Sequence, residues 1–96
     1  MKNTKEPKNY QDLIGGKYFF RTVTYHLLGE VVSIVGRFAY LKDASWVADS
    51  GRFHQFITKG ELSSSAEIEP VGFAYINLDT VTDFFPWKHE MLTEQK

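Results

Sequence analysis

Large apolar and β-branched residues fall in short blocks along the chain, each bounded by glycine, proline or small polar residues. Lys17–Tyr25 (KYFFRTVTY) is dense in aromatic and β-branched side chains and holds neither Gly nor Pro, which predicts a strand. His26 to Gly29 allows a turn or sharp bend, Glu30–Val35 is a second strand, and Gly36-Arg37 is a two-residue turn signal. Phe38–Val47 is a third strand, with Phe38, Tyr40 and Lys42 on one face and Ala39, Leu41 and Asp43 on the other. The first and third strands carry large apolar groups on both faces. One face can fill an interior, and the other requires a cover.

The period then changes. Ala48 to Gly51 offers N-cap chemistry, Phe53, Phe56 and Ile57 recur at helical spacing, and Gly60 stands where a helix-terminating glycine belongs. This predicts a helix of about two to three turns lying over an open end of the sheet. Glu61–Pro70 is rich in Ser and Glu and reads as a surface loop. Val71–Ile76 is a fourth strand, Asn77-Leu78-Asp79 a tight turn, and Thr80–Phe85 a short fifth strand ended by Pro86. Residues 1–14 are expected to form a flexible arm, 15–90 one domain and 91–96 a flexible tail.

Five short strands and one short helix do not make two full sheets of a sandwich. They fit a mainly β domain: a small five-stranded SH3-like barrel with a helix inserted between the third and fourth strands. The run Gly29-Glu30-Val31-Val32-Ser33-Ile34, a turn, then Tyr40-Leu41-Lys42-Asp43-Ala44 resembles the first motif of Sm-like proteins. Ala74 through Pro86 resembles the second, two short strands about a tight turn. The resemblance spans residues 17–47 and 71–86 and implies a barrel of the SH3-like class. Sm-like proteins that read uridines carry Asp and Asn in the loop between the second and third strands, where this chain has only Gly36-Arg37. They also carry a basic residue in the second-motif turn, which here is Asn77-Leu78-Asp79, so the family's RNA pocket does not carry over. The chain is also similar in appearance to small bacteriophage and bacterial proteins of undefined activity.

Composition narrows the function classes. Among 96 residues, 11 Lys and Arg balance 12 Asp and Glu, which lacks the basic excess that gripping phosphate backbones usually needs. Nucleic acid thus remains only one of several candidate partners. There is no cysteine, so disulfides, thiolate zinc sites and thiol nucleophiles are excluded. No apolar run is long enough to span a membrane, and the first residues have no apolar signal-like core, so a cytoplasmic protein is expected. Aromatic residues make up 16% of the chain, more than a small interior holds, which points to a partner or ligand for the surplus.

Chemistry-bearing residues are sparse. His26, His54 and His89 have no zinc-ligand spacing, and Asp43, Asp49, Asp79 and Asp83 read first as turn and cap residues. Asp83, three residues after Thr80, has the spacing of a local turn contact. Gly15-Gly16-Lys17-Tyr18 precedes its strand rather than following one, so it is not a phosphate loop. No catalytic constellation, metal site or cofactor motif is present, and the expectation is a non-enzymatic module. The candidate ligand site is Trp46, Ser50, Arg52 and His54, where a Trp at a strand end meets a helix start. There, backbone N–H groups and an Arg fork suit a small anionic, nucleotide-like ligand. The alternative is that Trp46 packs under the helix and Arg52 pairs with Asp49 or Asp43. Trp87 after Phe84-Phe85-Pro86 either anchors the C-terminus or joins a subunit interface. The leading expectation is a homo-oligomer formed through an open strand edge and the surplus aromatic face.

Overall fold

A computed structural model describes residues 8–49, 56–58, 60 and 67–91. It is mainly β: one antiparallel sheet of five strands, β1 (Lys17–Arg21), β2 (His26–Val35), β3 (Phe38–Asp49), β4 (Glu67–Asn77) and β5 (Asp83–Pro86). The spatial order is β4-β3-β2-β1-β5, so β4 and β5 are the two edges and the sheet does not close on itself. Two 3-10 turns flank the strands, at Tyr10–Leu13 and Leu78–Thr80. The first lies within the stretch expected as an arm, where Leu13 is buried in the core.

Strand boundaries differ from the expected ones for identifiable reasons. β1 ends at Arg21 because Thr22 closes a turn, its hydroxyl donating to the Tyr25 carbonyl (2.7 Å) and accepting from the Tyr25 amide (3.2 Å). His26–Gly29 is the start of β2 rather than a bend. Gly29 serves close packing instead: a Cβ there would lie 2.8 Å from Cβ of Leu41. Pairing of Val35 with Phe38 leaves Gly36-Arg37 as the two-residue turn. β3 runs on to Asp49 and β4 begins at Glu67, so part of the expected loop is strand. Asn77 caps the turn after β4, its side chain accepting from the Asp79 amide (3.0 Å). Thr80 belongs to that turn rather than to β5.

Bulges bend the sheet. Pairing of β2 with β3 shifts at Leu28/Glu30 and Val31/Ser33, and pairing of β3 with β4 shifts around Ala44 and beyond Val47. Asp43 takes a positive φ of 51° and Gly72, near it across the ladder, has φ 84°. After this bulge β3 changes phase: Ala44 packs in the same core as Leu41, and Val47 packs in the opposite one. The expected strict alternation therefore fails at Asp43. Strand connectivity shows how strong the bend is. Asn77 aligns, through β3, with Val35 at one end of β2, while Asp83 aligns, through β1, with His26 at the other. In a flat sheet these ends would stand about 35 Å apart, from four strand spacings of about 4.8 Å and nine residues of about 3.3 Å. The link from Asn77 to Asp83 can reach at most about 21 Å. The sheet must curl.

Curling creates two cores, one on each face of β1. Phe20, Leu27, Val31, Ala39, Leu41, Ala44 and Ile76 fill the concave side, closed by Leu13 and Leu78 from the 3-10 turns. Phe19, Leu28, Val47 and Ile68 face the other way, where Phe56 and Trp87 cover them. Phe56–Thr58 are helical, and the Gly60 amide donates to the Phe56 carbonyl at 3.1 Å. The rest of the expected helix, Phe53 included, lies outside the described residues. Trp87 is an anchor: its ring lies tilted against that of Phe56 (4.8 Å), donates from Nε1 to the Glu90 carbonyl, and its amide reaches the Lys17 carbonyl (2.8 Å). No helix among the described residues is long and apolar enough to cross a membrane.

Candidate interaction surface

Among the described residues, β4 carries the most exposed large apolar side chains of any strand: Val71, Phe73 and Tyr75. Side chains alternate along a strand, so Phe73 and Tyr75 share the outer face while Ala74 and Ile76 turn to the core side. Phe73 is 63% exposed and Tyr75 68%. Tyr40 on β3 lies between them, its ring nearly parallel to that of Phe73 (5.5 Å, 6°) and tilted against that of Tyr75 (4.7 Å, 34°). Phe38 and Val35 continue the patch across β3 and β2, both exposed. Aromatic rings are held in order here, yet much of their surface is in water. That is costly in a monomer and useful at an interface.

The patch adjoins an open backbone edge. Among the described residues β4 pairs with β3 alone, so every second N–H and C=O on its other side lacks a strand partner. The first half of β4 is blunted: Glu69 is charged, Pro70 has no amide hydrogen, and Gly72 sits in the bulge. The second half, Phe73–Asn77, has no charge, no proline and no glycine. β5 is a poorer edge. It has four residues and ends in Pro86, and its Asp83 and Phe84 share a crevice with Tyr10, Leu13 and Leu78 of the two 3-10 turns.

Polar contacts at the sheet ends are structural. Arg21 donates from Nε and Nη2 to both carboxylate oxygens of Asp83 (2.7 and 2.6 Å). The Asp83 carboxyl is held below the usual carboxylate range by this hydrogen bonding, and the Arg21 guanidinium is pushed up by the same bonds. The local contact expected between Thr80 and Asp83 is not made. The Thr80 hydroxyl donates to the Asn77 carbonyl (2.8 Å) instead. Arg37 and Asp79 pair at 3.1 Å beside the end of β4. A half-open hollow of about 350 Å³ lies between Ile57, Thr58, Phe85, Pro86, Lys88 and His89. There the His89 ring donates from Nε2 to the Ile57 carbonyl (3.0 Å).

Of the ligand-site residues expected from the sequence, only Trp46 is described. It pairs with Leu27 and Glu69 and is 42% exposed. Ser50, Arg52 and His54 lie outside the described residues, as does the side chain of Asp49. Of the histidines, His26 packs edge-on against Phe19 (5.3 Å) and His89 against Trp87 (4.9 Å). Sequence reasoning overlooked Phe73 and Tyr75. The signal was present in Val71-Gly72-Phe73-Ala74-Tyr75-Ile76, apolar on both faces in a strand that ends the meander. No protein-family model matches the chain, and no curated protein is similar to it.

Proposed function

We propose that the chain is a non-enzymatic assembly module, a small SH3-like barrel that joins copies of itself through the β4 edge and its aromatic face. One observation carries this reading: among the described residues, the uncharged segment Phe73–Asn77 offers a strand edge without a strand partner and exposed rings in the same place. A soluble monomer leaving both open would be prone to uncontrolled edge-to-edge pairing. The barrel reading draws on the curl of the sheet, whose two edge strands are joined by the short link through the second 3-10 turn. Light scattering on the eluting protein at tens of micromolar tests the proposal. A defined oligomer is expected, and a monomer would remove it.

A second reading uses the same rings. Tyr40, Phe73 and Tyr75, with the exposed Lys42 beside Phe73 in the ladder, form a platform on which unpaired bases could stack. Titration with a single-stranded oligonucleotide at two salt concentrations separates the readings. Salt-sensitive binding lost in Phe73→Ala favours the platform, and no binding leaves assembly alone.

A further inference from the structure

We propose that two copies pair β4 against β4, antiparallel, about a two-fold axis through Tyr75. This rests on the assembly reading and specifies its contact. The occupant of the edge is a second copy because the free segment complements itself. With the axis at Tyr75, Phe73 of each copy stands opposite Asn77 of the other and the two Tyr75 residues face each other. No charged side chain then meets a like charge, since Phe73–Asn77 contains none. Sliding the axis to Phe73 would draw Pro70 and the Gly72 bulge into the ladder, losing an amide donor and distorting the strand. A head-to-tail contact onto β5 would meet four residues ending in proline, flanked by the 3-10 turns, whereas β4 offers a longer match to itself. An isologous contact closes after two copies. Residues 73, 75 and 77 lie on one face, so the Tyr40, Phe73 and Tyr75 rings of both copies merge into one patch across a ten-stranded sheet.

The chain has no cysteine, which makes cross-linking clean. Tyr75→Cys places two thiols directly opposite, at a Cα separation of about 4.5–5.5 Å that a disulfide bridges. Phe73→Cys alone leaves the thiols four residues out of register, beyond about 7 Å, but it should link to Asn77→Cys in a mixed sample. Each variant is oxidised mildly and read on a non-reducing gel, beside light scattering of the unmodified chain. A dimer in which Tyr75→Cys links to itself, or Phe73→Cys links to Asn77→Cys but not to itself, is the expected result. An oligomer in which none of these links forms, including one where Tyr75→Cys links only to Phe84→Cys, overturns the β4–β4 pair and leaves the assembly reading standing. A monomeric unmodified chain overturns both.

Discussion

Phe19 and Phe20 are consecutive on β1, both fully buried, and they belong to different cores. Phe20 stacks on Phe84 at 5.5 Å on one face of the strand. Phe19 meets Phe56 edge-on at 4.9 Å on the other. A strand with large apolar groups on both faces needs a cover on each, and the helical turn at Phe56 together with Trp87 supplies the second. The fold is therefore two packed layers built around one bent sheet.

Phe56→Ala should open the second core. Removing a buried Phe costs about 3–5 kcal/mol. Because Trp87 is buried against Phe56 whereas Trp46 is already exposed, the variant's tryptophan emission should shift to longer wavelength. A variant as stable to urea as the parent, with unchanged emission, would contradict this packing.

Gly29→Ala should destabilise the fold although it adds only one methyl group. The new Cβ would stand 2.8 Å from Cβ of Leu41, which is rooted to the backbone of β3 and cannot swing away. Overpacking of this kind costs about 1–3 kcal/mol, visible as a lower urea midpoint at unchanged slope.

Asp43→Gly and Asp43→Val should move stability in opposite directions. Asp43 is exposed and holds φ at 51°, a conformation that glycine adopts freely and a β-branched residue resists. Glycine should be neutral to mildly stabilising, and valine should lose about 1–2 kcal/mol in thermal or urea unfolding.

The Arg21–Asp83 pair should contribute stability at neutral pH and lose it in acid. Asp83 has a lowered folded-state pKa, so its contribution is present above the unfolded value of about 3.9 and disappears as pH falls through the folded one. Arg21 stays charged throughout. Both side chains are partly exposed, 32% and 40%, so solvent screening limits the effect to about 1 kcal/mol. Asp83→Asn should be less stable than the parent at pH 7, and the difference should close as pH falls through the folded-state pKa. A difference that persists in acid would show that the pair is not its source.

The chain's local composition by itself determined that this is a β-rich domain, because blocks of β-branched and aromatic residues separated by Gly, Pro and Asn need no distant partner to be recognised. Gly36-Arg37 was legible for the same reason: a two-residue turn is encoded where it occurs. What the tertiary structure decided is what depends on distant partners. Gly29 looks like a turn residue until Leu41 lies beneath it, and Pro70 looks like loop until Ser45 of β3 pairs with it. Asp43 resets the phase of β3 so that Ala44 joins the core of Leu41 while Val47 joins the opposite one, which alternation alone cannot foresee. The aromatic edge at Phe73 and Tyr75 was hidden most completely. An apolar face reads the same in a central strand and at an edge, and only the order β4-β3-β2-β1-β5 places this one at an edge of the sheet.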